Sequence, residues 1–451
     1  MNRLKSLTIT FSDIIITPLV IAKIFLGQKS SINAAVPLLH KIIFFLRGIK
    51  AIALINFGLV KKVDVLFVSS KHYEVEEEKV VYDKFISPFV SYLKQKCKTF
   101  RIARYSNTFS IPKNYFEKKS LLHLQEAGVI YSKFKKQKRN NSQIDGELND
   151  FVNMLEGMSF SKNTEPFDHN YFQQFIALKN FYKMYLKASK TKNIVIVCYY
   201  DMKSFAIIRA ANELVIPIID LQHGVQGKGH FAYNYWPQDI VQSSKLFPTH
   251  FWCWDEWSAN VIKTWFPEKN NVIIGYNSWM KERIKSENKT LIVFTSQPLE
   301  DAIPKIIVEA IKNYTGKLKW CIRLHPHQLN EFPKYKKFLS DHEILDLIEF
   351  ESVTNAPLSE LLNKTYIHIT DYSSVVLEAM WYNIPSVVIS KRGTEYYKEQ
   401  VPENMLISAY STTSLITEIA KLEKEWIFHR QNIAKEESFE ELVNKFFKYN
   451  G

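Results

Sequence analysis

From Asn193 to Ser390 short apolar runs of strand length alternate with stretches of helical periodicity, and this alternation constrains the fold more than any other feature of the chain. A strand followed by a helix followed by another strand closes only as a right-handed crossover onto a parallel sheet. Residues Asn193–Tyr200 read as a strand ending at Asp201, Ser204–Leu214 as a helix, and Val215–Leu221 and Thr249–Trp254 as strands. Glu256–Trp265 is then helical, and Val272–Tyr276 is a last short strand. After a polar connector, Asn277–Lys289, the alternation restarts with the strand Leu291–Thr295, a helix over Ala302–Tyr314 and the strand Leu318–Leu324. The β-loop-α-β unit Tyr366–Ser390 follows, and Ser411–Phe428 and Glu436–Phe447 read as amphipathic helices. Upstream, Val63–Ser70 is the first buried strand.

The expected organisation is therefore an apolar, basic helical segment over 1–60, an α/β domain over 61–277 with a helical insertion, a second α/β domain over 288–427, and a helix in 428–451 that packs back on the first domain. Four cysteines, Cys97, Cys198, Cys253 and Cys321, are far apart, lack C-x-x-C spacing and read as reduced residues, so neither a disulfide frame nor a zinc site is expected. The leading segment is apolar but broken by Lys23, His40, Lys41, Arg47 and Lys50. No uncharged run in it reaches the roughly 18 to 20 residues a bilayer-spanning helix needs. It suits a helix lying in an anionic head-group layer, or equally a helix packed on its own domain. The formal charge of +13 points to a polyanionic partner. The basic run Lys133–Arg139 carries one aromatic residue, Phe134, too few for nucleic-acid stacking, so nucleic acid is not expected.

Three polar clusters close predicted strands, at the carboxyl edge where open parallel sheets bind ligands. Leu221-Gln222-His223-Gly224 continues into Val225-Gln226-Gly227-Lys228, a glycine-bearing loop that lets backbone approach a substrate. His223 suits a base, with Lys228 near it, and Gln222, Gly224, His230 and Tyr233 are candidates to touch substrate. Arg323-Leu324-His325-Pro326 and Thr370-Asp371-Tyr372-Ser373-Ser374 supply Arg323, His325 and paired hydroxyls at a helix start, where unpaired amides favour a phosphate. Thr370, Asp371 and Glu378, one helical turn past Ser374, complete the candidate nucleotide contacts. Each cluster has a plainer reading, an N-cap in Asp371 or Ser373 and a loop histidine in His223. No D-x-D closes a strand, and neither a metal nor a separate cofactor is expected.

With R-x-H-P and T-D-Y-S-S in the second half and an H-G loop in the first, the chain resembles the GT-B glycosyltransferases of bacterial surface-polymer synthesis. It is most similar over Val215–Ser390 to CDP-glycerol glycerophosphotransferases of teichoic-acid synthesis and to capsule Kdo and polysialyl transferases. The resemblance implies a GT-B fold of two Rossmann-like domains with parallel sheets facing a central cleft. It implies that His325, beside Arg323, contacts donor phosphates, that Ser373 and Ser374 bind phosphate, and that His223 is the base. The family text H-G-T-P-x-K is matched at His223, Gly224 and Lys228 and departed from at Val225 and Gln226. The D/E-D/E-G motif of related sialyltransferases does not occur.

The expectation that follows is a metal-independent transferase moving a sugar or polyol phosphate from a nucleotide-activated donor, cytidine-linked in preference to uridine-linked. The acceptor would be a capsule, lipopolysaccharide or teichoic-acid-type glycan, free or lipid-linked. The enzyme would be cytoplasmic and peripheral on the anionic inner face of the membrane. Two alternatives stand beside it: a nucleotide-sugar epimerase of similar fold, which turns over without an acceptor, and a non-catalytic binding protein of polysaccharide export.

Overall fold

The fold is known from a computed structural model that describes residues 38–106, 111–134, 169–227, 230, 232–234, 236, 238–275, 277–281, 284–285, 288–298, 302–425 and 438–448. The chain divides into two compact units, Met1–Ser278 together with Glu437–Gly451, and Trp279–Glu436. The second unit is an insertion between two segments of the first.

The first unit is built on strands β1 (Val65–Ser70), β4 (Phe100–Tyr105), β5 (Leu121–Leu122), β6 (Asn193–Val197), β7 (Ile218–Leu221), β8 (His250–Cys253) and β9 (Val272–Ile274). A separate hairpin pairs β2 (Glu74–Glu77) with β3 (Val80–Asp83). The main sheet is parallel and ordered β5-β4-β1-β6-β7-β8-β9. The chain builds outward from β1 through β4 to β5, then returns to the other side of β1 as β6. The strand order thus reverses between β1 and β6, the position where such sheets open a crevice at their carboxyl edge. β6 and β7 are buried at every residue, without the alternation of a one-sided sheet, because helices cover both faces. The crossover helices start at aspartate caps. Asp201 accepts from the Ser204 amide at 2.6 Å to begin Met202–Glu213, and Asp255 accepts from the Ser258 amide at 2.7 Å to begin Glu256–Trp265.

The strand expected from Val215 begins only at Ile218. Val215 itself is 89% exposed with φ +57°, the left-handed residue that ends the preceding helix. The final helix, Phe439–Lys448, belongs to this unit. Phe439 meets Phe89 and Trp252 edge-on, Phe446 meets His250, and Tyr92 donates to Asn444.

The second unit holds β10 (Leu291–Thr295), β11 (Lys319–Arg323), β12 (Ile348–Glu349), β13 (Thr365–Thr370), β14 (Ser386–Val388) and β15 (Leu406–Ser408), all parallel in the order β12-β11-β10-β13-β14-β15. Its switch point lies between β10 and β13. Its core gathers Ile292, Phe294, Ile322, Ile367, Ile369 and Val387 from the strands with Ile307, Ile311, Leu415 and Ile419 from the helices Lys305–Asn313 and Thr412–Glu425. One polar side chain crosses the sheet. His368 is fully buried, with Nε2 2.9 Å from Thr295 Oγ1 on β10 and Nδ1 2.9 Å from Ser386 Oγ on β14. Burial lowers its pKa to about 3, so the ring is neutral and stitches three strands by hydrogen bonds.

Of the leading segment, the helix Leu38–Asn56 is described. Among the described residues no helix is long and apolar enough to cross a membrane.

Candidate functional site

In the first unit the carboxyl edge of β1, β6 and β7 gathers a knot of rings. Tyr73 follows β1, Tyr200 follows β6, and His223 follows β7. His223 is edge-on to Tyr73, with centroids 5.3 Å apart, and stacked on Tyr200 at 5.8 Å. His230 and Tyr233 close the knot, 4.9 Å from each other and 5.3 and 5.8 Å from Tyr200. The segment carrying them is anchored from below. Tyr199 donates to the Ala232 carbonyl, Trp236 Nε1 donates to the same oxygen at 3.0 Å, and Trp265 Nε1 donates to the Tyr233 carbonyl at 2.8 Å.

The hydrogen bonds in this knot have a direction. The Ala232 amide donates to His230 Nδ1 at 3.2 Å, so in the neutral ring that nitrogen is bare and the proton sits on Nε2. Nε2 lies 3.5 Å from the Tyr200 hydroxyl, to which it donates. Tyr200 then points its own proton at His223 Nε2, 3.0 Å away, and His223 Nδ1 turns its proton toward the Leu221 carbonyl at 3.4 Å. The chain therefore runs His230 to Tyr200 to His223. Burial keeps both imidazoles neutral, lowering the pKa of His223 to about 4 and of His230 to about 3. Burial likewise pushes the Tyr73 and Tyr200 phenols far up, with the Cys198 thiol beside both. Cys198 has φ +73°, a left-handed turn at the end of β6 that is costly for a residue with a side chain.

Beneath the rings, fully buried Asp220 on β7 accepts from the Tyr233 hydroxyl at 2.8 Å. Its other carboxylate oxygen has no partner, and burial drives its pKa well above the usual range. Gln222 is a staple. Its Nε2 donates to the Gly224 carbonyl at 2.8 Å and to Ser258 Oγ at 3.3 Å, and its Oε1 accepts from the Trp254 amide at 2.6 Å. The two glycines of the loop differ. A Cβ at Gly224 would meet nothing within 4 Å, whereas one at Gly227 would enter the ring of Trp257. Lys228 lies outside the described residues.

In the second unit the register brings the other two clusters to one place. Thr295, the last residue of β10, pairs with Arg323 on one side and Thr370 on the other, so the segments after β11 and β13 flank Ser296 and Gln297. Thr370 Oγ1 donates to the Thr295 carbonyl at 2.9 Å and accepts from the Ser373 amide at 3.3 Å. The Tyr372 amide donates to Gln297 Oε1 at 2.9 Å. The His325 amide donates to Gln328 Oε1 at 2.9 Å and to Ser296 Oγ at 3.2 Å. Arg323 directs one terminal nitrogen to the carbonyls of Val353 and Ala356, each at 2.6 Å. Burial lowers its pKa to about 10 against the opposing carboxylate of buried Glu378.

The hydroxyl pair divides in two. Ser373 is buried and its Oγ accepts from the Val375 amide at 3.4 Å, while Ser374 stands at the N-cap of the helix Val375–Trp381 without using its side chain there. Asp371 keeps one buried carboxylate oxygen without a partner. Gly393 presses on this loop so closely that a Cβ there would enter the Asp371 carbonyl. Arg392 covers the Tyr372 ring at 4.0 Å.

The sequence clusters named His223, His230 and Tyr233 in one unit and Arg323, His325, Thr370, Asp371, Ser373, Ser374 and Glu378 in the other. Sequence reasoning missed Tyr73, Tyr200, Cys198 and Asp220. Their signal was strand order, since β1 and β6 are neighbours in the sheet and remote in the chain. Among the described residues no group of three or more His, Cys, Asp or Glu is arranged to hold a metal ion.

No protein-family model matches the chain, and no curated protein matches it. Solved structures do. UDP-GlcNAc 2-epimerase from Methanocaldococcus jannaschii superposes with a TM-score of 0.50 at 13% identity, over 85% of this chain and 99% of that one. S. aureus MnaA with UDP gives 0.49 at 15%, over 86% and 97%, and UDP-GlcNAc 2-epimerase from Neisseria meningitidis bound to UDP-GlcNAc gives 0.48 at 14%, over 85% and 97%. At these identities the likeness shows the fold, an α/β arrangement of two parallel sheets shared by GT-B glycosyltransferases and these epimerases. It corrects the expected activity. The glycosyl- or glycerophosphotransferase reading, with its cytidine-linked donor and glycan acceptor, had only motif resemblance behind it, whereas the Methanocaldococcus jannaschii structure that shares the fold is named a UDP-GlcNAc 2-epimerase.

Proposed function

We propose that the chain is a nucleotide-sugar epimerase, an enzyme that binds a nucleoside-diphosphate sugar and inverts one of its carbons without any acceptor. UDP-GlcNAc is the first substrate to try, because the Methanocaldococcus jannaschii structure that shares the fold is named for it. The observation that carries the reading is the directed chain His230–Tyr200–His223. Inversion at carbon by proton transfer takes a proton away and returns one, and for that route the protein must offer a group that serves as both acid and base. Tyr200 backed by His223 is such a group. The substrate proton passes to Tyr200 Oη as the phenol's own proton passes to His223 Nε2, and the electron pair of the broken C–H bond stays on the sugar. The new imidazolium keeps its Nδ1–H on the Leu221 carbonyl. Reversal of the relay returns a proton to the same carbon, and the configuration inverts when the sugar has turned its other face to Tyr200 before that proton returns.

The nucleotide is assigned to the second unit. Ser374, with its hydroxyl outside the cap, takes a phosphate oxygen, with His325 beside it. The unpartnered oxygen of Asp371 takes a ribose hydroxyl.

The test is incubation with UDP-GlcNAc in deuterium oxide, without acceptor, followed by proton NMR. The expected result is a second epimer with deuterium at the inverted carbon. Full retention of the substrate's C–H signals over many hours, with UDP bound as judged by thermal shift, would remove the epimerase reading and leave a nucleotide-binding protein.

A further inference from the structure

We propose that the exposed face of the helix Leu38–Asn56 and the turn after it form a docking surface for an anionic lipid membrane. One side of this helix is fixed to the first unit. Phe44 and Ile55 are buried, and Gly48 lets the helix backbone touch that of Leu124–Phe134, where a Cβ would come within 2.9 Å of the Glu126 main chain. The opposite side is apolar and open. Phe45, Leu46, Ile49 and Leu54 are exposed along it, and Phe57 (77%) and Leu59 (67%) continue the patch past its end. Positions 45, 46, 49 and 57 repeat at helical spacing, so they form one stripe and not scattered surface residues.

Charge decides the occupant. Between Ile14 and Val63 the sequence holds seven lysines and arginines and no aspartate or glutamate. Of these, Lys50, Lys61 and Lys62 are exposed within or beside the stripe. An apolar stripe on a segment that carries cations and no acid matches the acyl boundary and phosphate layer of an anionic leaflet. A second copy of the chain would set these lysines against their own equivalents. Residues 14–37, equally without acids, would bring no counter-charge. The inference does not depend on the epimerase reading, because neither cluster described above contributes to the stripe.

The test is flotation of the full-length protein with vesicles of phosphatidylcholine alone or with about 30% phosphatidylglycerol. Recovery is expected with the anionic vesicles, falling as salt rises. Replacing Lys50, Lys61 and Lys62 together by Gln should weaken partition on the order of 100-fold, at roughly fivefold per charge. Leu46→Glu with Phe57→Glu should abolish recovery while leaving the melting temperature and UDP binding unchanged. The proposal is overturned by equal recovery on both vesicle types, by no recovery on either, or by a concentration-dependent dimer that the double glutamate variant dissolves. A fall in melting temperature in that variant would also overturn it, by showing that the chain itself covers the face.

Discussion

The two sheets share a plan and differ at their edges. In each, the chain runs outward from its first strand through two more, then returns to lay the next on that strand's other side, and in each the polar residues collect where the order reverses. The first unit fills that edge with rings: Tyr73, Tyr200, His223, His230 and Tyr233, all held neutral by burial. The second fills it with short side chains and main-chain amides: Thr295, Ser296, Gln297, Thr370, Ser373 and Ser374. Neutral rings with fixed tautomers suit proton movement, and amides and hydroxyls at loop height suit an anion. One scaffold thus presents two kinds of chemistry, and the edge residues, not the strands, decide which.

That contrast can be broken most sharply at Tyr200. Tyr200→Phe keeps the stacking on His223 and removes the hydroxyl that joins the imidazoles, so deuterium incorporation should fall by about 100-fold or more while the dissociation constant for UDP is unchanged. An equal loss of UDP affinity would end the division of labour between the edges. Next in size is His368→Leu, which strands the hydroxyls of Thr295 and Ser386 inside the second sheet. Urea unfolding should register a loss of about 2 to 4 kcal/mol, and UDP binding should weaken with it.

A third prediction concerns pH. The folded-state pKa values of His223 and His230 lie below the unfolded value, so the stability tied to keeping them neutral is complete above about pH 6.5. It is lost as pH falls toward about 4, where the unfolded chain takes up protons that the folded one refuses. Buried Asp83, raised to about 6, acts in the opposite sense over part of the same range, so the informative quantity is a difference. Urea titrations of wild type against His230→Gln should show the wild type losing stability relative to the variant from pH 6.5 to 4. Smaller still, Ser374→Ala should weaken UDP binding by about 1 kcal/mol, roughly fivefold, without altering the melting temperature. Val215→Gly should raise stability by about 1 kcal/mol, since an exposed β-branched residue at φ +57° carries strain that glycine lacks.

The sequence was most legible where burial on both faces makes a strand a continuous apolar run, as in β6 and β10, and where helical periodicity follows such a run, as over Glu256–Trp265. It was silent where a pairing leaves no mark on the residues that make it. The β2–β3 hairpin turns on Glu78 and Lys79, both at positive φ, and neither residue type advertises such a turn as Asn-Gly would. Tyr73 and Tyr200 went unread for the same reason. Each follows its strand as an ordinary aromatic, and only the adjacency of β1 and β6 gives the pair a role. The apolar leading segment was read with two outcomes open, and Gly48 against the Glu126 main chain fixes one side of its described helix to the first unit.

The helix Phe439–Lys448 has a consequence for biosynthesis. It supplies Phe439 and Phe446 to the ring packing around Phe89, Trp252 and His250, yet it leaves the ribosome after the whole of Trp279–Glu436. The unit translated first is therefore completed last, and in the interval its nascent sheet exposes a hydrophobic flank. Vectorial synthesis makes that interval, before residue 439 emerges, the period in which a chaperone has most to do.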